Sequence, residues 1–413
     1  METSSDLVLS REHGMCAEPA GSHEAGSCSL HVIVLPSSYP TFHSPVDGIF
    51  VQAQAAALKN AALRVGVVYP DMRSLRTLPT GRLLRSRFQM GVQREQEVET
   101  IRIHAWNIPF RTVAPRLWQS LALRGFAAYV KRFGHPDLIH AHNSLWAGAA
   151  AREIKNRFGV QYVLTEHSSA YARQLVSKDD EELTRRVFAE ASAVMAVSRW
   201  LSAGLQPCGE REIRVIPNIV DTDFFTLPPT PRRAKPLRFL TVGLLTPVKG
   251  IDLLLRAFSE AFSDSADVEL EVAGDGPERP RLQELARSLK ISDRVIFSGL
   301  RTREQVRESM WRSNAFVTAS HVETFGIVLA EALATGLPLI STKCGGPEEI
   351  VTGDVGVLVE PGSVNALAGA LKEILLKAAS YDPLLQRGSA VQRYAGPAVV
   401  SRLQDVYQGV LCG

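Results

Sequence analysis

From Leu30 onward, short apolar runs rich in β-branched residues alternate with longer stretches of helical periodicity. The first half carries such runs at Leu30–Leu35, Leu63–Pro70, Asp137–His142, Val160–His167, Ser192–Ser198 and Ile213–Asn218. The second half has them at Leu237–Leu244, Val268–Gly274, Arg294–Gly299, Asn314–Ser320 and Leu337–Lys343. Apolar runs without polar alternation, spaced by helical patterns, predict strands of a parallel sheet covered on both faces.

Between the two series lies Asn218–Pro236, proline-rich and without apolar periodicity, which reads as a linker. The pattern therefore predicts an α/β protein of two Rossmann-like, doubly wound domains, 30–217 and 237–392, facing across a cleft. A closing helix in 393–413 completes the chain. Ligands of such sheets sit beyond the carboxyl ends of the strands, so the strand-end loops are the places to look for chemistry.

Composition narrows the class. Of 413 residues, 45% are hydrophobic and 22% charged, which excludes collagenous, coiled-coil and wholly disordered chains. Residues 1–29 are rich in Ser, Glu, Gly and Ala without periodicity and are expected to be a disordered tail. The net charge of +3 gives no reason to expect a nucleic-acid partner. Five scattered cysteines, Cys16, Cys28, Cys208, Cys344 and Cys412, form no CxxC or metal-ligand spacing, which fits a reducing, cytoplasmic setting. No run approaches the roughly 20 apolar residues of a membrane-spanning helix.

Charge is uneven, however: Met72 to Pro136 holds twelve Arg/Lys against Glu95, Glu97 and Glu99. Within it, Arg116–Phe133 is amphipathic with a basic face. Such a helix either lies on the anionic inner face of a membrane, making the protein peripheral there, or packs its apolar side on the sheet as an ordinary surface helix.

The segment 321–340, HVETFGIVLAEALATGLPLI, is the richest in chemistry. Gly336 and Pro338 stop a helix expected over Phe325–Thr335, with Glu331 on it and Glu323 just ahead. The amides of Thr324, Phe325, Gly326 and Ile327 would then be the free N–H groups of a helix N-terminus, suited to phosphate. A sugar nucleotide would satisfy all three features, with its sugar hydroxyls on Glu323, its diphosphate on the amides and its ribose on Glu331. The plainer alternative is two helix acids, one favoured by the helix dipole.

Upstream, Gly243 ends a buried strand, and Lys249 with Gly250 opens a helix, where the ammonium could act as a point charge on phosphate. The spacing is neither a P-loop nor GxGxxG. Ala273–Glu278, AGDGPE, reads as a tight turn. Asp221-Thr222-Asp223 has the DxD form of metal-dependent transferases but sits in the linker, remote from these residues, so no metal is expected. His140 and His142 could suggest a ligand pair, yet alternate residues of any strand share a face, and His142 at the strand end would line the cleft.

Taken in order, VSRWL, VIPNIVDTDFF, VGLLTPVKG, AGDGPE, FSGL, ETFGIVLAE, EALATGLPLIST and GGPEEIV resemble the family 4 (group 1) retaining glycosyltransferases of GT-B architecture. The likeness runs from about residue 31 to 411 and is similar to polysaccharide-assembly members of the teichuronic acid type. It implies a UDP-, GDP- or dTDP-sugar as substrate, with no cofactor, held by the second domain, and a lipid-linked or glycan acceptor held by the first. Transfer would proceed with retention. By motif, Lys249 corresponds to the diphosphate lysine, Glu323 to the donor-sugar glutamate, Glu331 to the ribose glutamate, Gly48 to the glycine loop near the diphosphate, and His167 to the histidine near the reacting sugar. Two departures stand out: Leu244 where members often carry arginine, and Asp47 where many carry a glycine. Two other readings share the architecture, a sugar-nucleotide epimerase and a non-catalytic scaffold subunit.

Overall fold

A computed structural model describes residues 29–42, 44–74, 89–107, 113–232, 235–263, 265, 267–377 and 380–413. The expected tail, save Ser29, lies outside the described residues, as do Arg76, Arg82, Arg85, Arg87 and Arg111 of the basic segment.

The first domain is built on an eight-stranded sheet. Its strands are β1 (His31–Pro36), β2 (Arg64–Ser74), β3 (Gln89–Glu95), β4 (Val98–Asn107), β5 (Leu138–His142), β6 (Gln161–Glu166), β7 (Ala193–Ala196) and β8 (Ile213–Val215). They lie in the order β3-β4-β2-β1-β5-β6-β7-β8, and only β3 runs antiparallel to its neighbour. The second domain has six parallel strands: β9 (Leu237–Val242), β10 (Val268–Ala273), β11 (Val295–Gly299), β12 (Ala315–Thr318), β13 (Leu339–Thr342) and β14 (Gly356–Val359). Their order is β11-β10-β9-β12-β13-β14. The central strands are sealed on both faces: Val32, Ile33, Val34 and Leu35 of β1 expose no surface.

Strand order reverses between β1 and β5 in the first sheet and between β9 and β12 in the second. Crossover helices leave these points on opposite faces, which opens a crevice at each. The loops after β1, β9 and β12 carry Gly48, Lys249 and Glu323, and His142 is the last residue of β5.

Three strands escape the pattern of apolar runs. β3 and β4 form an edge hairpin whose apolar residues are interrupted by polar and charged ones, and the turn between them puts Gln96 and Glu97 at φ 45° and 64°. Two left-handed residues match strand twist, but Gln-Glu lacks the Asn-Gly signature that would announce such a turn. β14 is a four-residue edge strand beside β13.

The segment after β8 is not free. Val220 bridges Ala395, Phe225 is buried, and Arg387 donates to the carbonyls of Thr222 and Phe225. The chain then returns through the helix Gly396–Cys412, whose Val399, Leu403 and Tyr407 pack with Val32, Val34 and Leu58 of the first domain.

Candidate active site

Lys249 ends a short 3-10 turn after β9, and Glu323 lies in the loop after β12. The two loops interlock. His321 N donates to Val248 O at 2.8 Å, and a Cβ on Gly250 (φ 60°) would meet Ala319 O at 2.1 Å. This close approach brings Lys249 Nζ to 2.5 Å from Glu323 Oε1, to which Ser320 Oγ also donates at 2.9 Å. Glu323 Oε2 has no hydrogen-bond partner among the described residues. The lysine stem crosses Gly243, where a Cβ would lie 3.8 Å from Lys249 Cε.

The helix that follows spans Ile327–Ala334 and not Phe325–Thr335. Gly326 sits at φ 87°, ψ 52°, a left-handed cap that cannot continue a right-handed helix, so the helix starts two residues late. The amides of Thr324, Phe325, Gly326 and Ile327 donate no hydrogen bond among the described residues. They stand beside the Lys249–Glu323 pair with the positive end of the helix dipole behind them.

Glu331 lies one turn into this helix. Burial pushes its carboxyl up to about 7, against the pull of Arg303 and with a push from Asp221. Asp221 pairs with Arg303 at 3.1 Å, and that guanidinium lies over the Phe224 ring. This corrects the expectation that Asp221-Thr222-Asp223 is remote: the docked linker brings Asp221 within electrostatic reach of Glu331. Among the described residues no group of three or more His, Cys, Asp and Glu could hold a metal ion.

In the first domain, His140 and His142 of β5 and His167 after β6 form a stack. Ring centroids are 4.3 Å apart for His140–His142 and 5.2 Å for His142–His167, both at 24°. His142 Nδ1 and His167 Nε2 are 3.0 Å apart, and Phe50, two residues past Gly48, covers His167 at 4.5 Å. Burial drives His140 and His167 down to about 3 and His142 well below its ordinary value, so all three rings are neutral. Gln54 Nε2, which can only donate, and the Tyr407 hydroxyl both reach His140 Nδ1, which leaves its Nε2–H for Thr165 Oγ1 at 2.7 Å. His142 Nε2 and His167 Nδ1 are buried without a hydrogen-bond partner among the described residues. No hydrogen bond or ring contact among the described residues joins this group to Lys249 and Glu323.

Residues 48–224 match the Glycosyltransferase Family 4 model, and residues 226–388 match the model described as Glycosyl transferases group 1. The chain belongs to the group 1 glycosyltransferases of GT-B fold. It is 28% identical to the putative teichuronic acid biosynthesis glycosyltransferase TuaC of Bacillus subtilis, over 83% of this chain and 88% of that one. It is also 28% identical to the phosphatidylinositol N-acetylglucosaminyltransferase GPI3 subunit of Saccharomyces cerevisiae, over 66% of this chain, and spans 63% of that relative's length. The crystal structure of Anabaena HepE in complex with UDP has the same fold, with a TM-score of 0.70, 19% identity, and coverage of 92% of this chain and all of that one.

Within this glycosyltransferase fold, Glu166 is a residue beside the histidine stack that sequence reasoning missed. Fully buried at the end of β6, its carboxylate accepts from the amides of Ser144, His167 and Ser168 at 2.9 Å each and from Ser144 Oγ at 2.8 Å. It ties the loop after β5 to the backbone of His167. The only signal was its place before that histidine in VLTEH. Gly48, at φ 66°, caps the helix Ile49–Asn60, and a Cβ there would meet Ser38 O at 2.1 Å.

Proposed function

We propose that this chain is a retaining glycosyltransferase that moves a sugar from a UDP-, GDP- or dTDP-sugar to a lipid-linked or glycan acceptor in cell-surface polysaccharide or glycolipid assembly. The observation that carries the reading is the Lys249–Glu323 pair set before four unbonded helix-end amides. Lys249 and the amides take the diphosphate, Glu331 the ribose, and Glu323 Oε2 a hydroxyl or the developing positive charge of the donor sugar. Gly48 keeps the first loop close to the diphosphate, His167 meets the reacting sugar, and His142 lines the acceptor side.

In the reaction, the bond from the anomeric carbon to the diphosphate oxygen breaks, and the acceptor oxygen bonds to that carbon on the same face. The acceptor proton passes to the leaving phosphate oxygen. Fixed donors aimed at charge that develops in the transition state are worth about 3–4 kcal/mol each in such sites. Lys249 and the amides fill that role, so the reading needs no metal.

Two features support an anionic, membrane-borne acceptor met from the inner face. Arg116 and Arg124 are exposed and make no ion pair among the described residues; they line a groove of about 530 Å³ with Leu123 and Phe158. TuaC is a putative teichuronic acid biosynthesis glycosyltransferase, and the GPI3 subunit is that of a phosphatidylinositol N-acetylglucosaminyltransferase. No helix among the described residues is long and apolar enough to cross a membrane.

The test is thermal shift and donor hydrolysis against UDP-, GDP- and dTDP-sugars, comparing wild type with Glu323→Gln and Lys249→Ala. One donor should raise Tm by mass action, and its slow hydrolysis should collapse in Glu323→Gln. If no sugar nucleotide binds, the catalytic reading fails.

A further inference from the structure

The glycine pair Gly345-Gly346 is wedged where the two domains meet. A Cβ on Gly345 would lie 2.6 Å from Cδ2 of Trp200 and 2.7 Å from the carbonyl oxygen of Glu323. A Cβ on Gly346 would lie 2.4 Å from Cα of Phe325. One glycine lets an indole of the first domain press on this segment, and the next lets the segment press on the donor loop.

The segment is also bonded to Glu323 on both sides. Glu323 N donates to Cys344 O at 2.9 Å, and Gly346 N donates to Glu323 O at 2.8 Å, forming a short parallel bridge. At the same seam the Glu349 carboxylate accepts the amide of Arg199, the residue before Trp200. Trp200 packs on an apolar cluster shared by Leu201 of the first domain and Phe325 and Ile350 of the second.

We propose that Trp200 is a positioning residue that couples the approach of the two domains to the aim of Glu323; the inference rests on the glycosyltransferase reading above. The indole bears on backbone and not on the carboxylate, so it acts through Gly345 and the bridge. Close-packed contacts transmit small displacements, and a shift of about 1 Å in a reacting group can cost ~100-fold in rate. With the domains apart, the bridge loses its backing and Glu323 drifts off line. With the domains together, the indole returns the carboxylate to the anomeric carbon. Trp200 makes no described contact with Lys249, and its indole bears on Gly345, whereas the Phe325 amide lies behind Gly346, so the rate depends on the indole far more than nucleotide capture does.

Full-length wild type, Trp200→Ala and Trp200→Phe are compared by calorimetry with UDP, GDP and dTDP in turn, and by turnover of the donor that wild type uses. In Trp200→Ala, kcat should fall at least ~30-fold while nucleoside-diphosphate affinity stays within ~3-fold. Trp200→Phe, which keeps a flat ring against Gly345, should recover most of the rate. Unchanged turnover in Trp200→Ala, or an affinity loss equal to the rate loss, overturns the proposal. Should Trp200→Ala not fold, Trp200→Leu carries the same comparison with the same two outcomes. A wild type that turns over no sugar nucleotide sinks the parent reading, a failure visible before any variant is made.

Discussion

Lys249 Nζ and Glu323 Oε1 are 2.5 Å apart although 74 residues separate them in the chain. The pair is partly shielded, with side-chain exposures of 28% and 17%, so its attraction is screened less than that of a surface ion pair. Each charge neutralises the other. A bound diphosphate would compete for the ammonium and release the carboxylate toward the sugar.

That competition sets opposite expectations for the two partners. Lys249→Ala removes a charge-assisted bond to phosphate worth roughly 1.5–3 kcal/mol, so nucleoside-diphosphate affinity should fall about 10- to 100-fold. Glu323→Gln should bind the diphosphate at least as well as wild type, because the lysine is freed, while turnover drops ~100-fold or more. Isothermal titration alongside donor turnover checks both; parallel losses in the two variants would refute the division of labour.

Glu331 gives a pH signature. With its carboxyl raised to about 7, it is largely protonated at pH 6 and ionised at pH 8. Ribose hydroxyls donate to the ionised form, so nucleotide affinity should strengthen as pH rises through 7. Glu331→Gln should lose that component, which separates it from titration of the nucleotide itself. Calorimetry at pH 6, 7 and 8 on both proteins reads the difference.

The histidine stack makes stability depend on acid. An unfolded histidine takes up a proton near pH 6.5, whereas folded His140 and His167 resist protonation down to about 3. Their folded values are lowered, so the unfolded chain binds more protons below about pH 6.5 and stability falls as pH drops. Each ring steepens the fall by up to about 1.4 kcal/mol per pH unit. Tm measured from pH 8 to 5 should decline below about 6, and His140→Gln should show a shallower slope. An unchanged slope would mean the stack does not control the acid limb.

Gly250 tests the interlock of the loops that carry Lys249 and Glu323. Alanine there meets Ala319 O at 2.1 Å on a left-handed backbone and should cost about 2–4 kcal/mol, with lost turnover in whatever folds. Gly362, at φ 81° with nothing within 4 Å, should lose only about 1 kcal/mol when changed to alanine. Chemical denaturation of both variants distinguishes loop packing from backbone strain alone.

Much of the framework around Lys249, Glu323 and Glu331 was legible before any fold was known. Parallel strands buried on both faces reveal themselves as unbroken apolar runs, and the helix stop is written in Gly336 and Pro338; the start set by left-handed Gly326 was not read, because a glycine's φ sign is not written in the sequence. Those signals are local, so they located Lys249, Glu323 and Glu331 one element at a time. The hairpin of β3 and β4 stayed hidden because its turn uses Gln96-Glu97 and its apolar face is interrupted by charge.

By itself, then, the sequence determined the α/β class, the order of loops that carry chemistry, and the identity of the charged groups on them. Only the tertiary structure decided which loops meet. It set Lys249 against Glu323, brought Asp221 of the docked linker within electrostatic reach of Glu331, stacked His167 on His142, tied Glu166 to Ser144, and pressed Trp200 onto Gly345. Each of these joins residues well separated in the chain, fixed by strand order and close packing, and local pattern carries no trace of either.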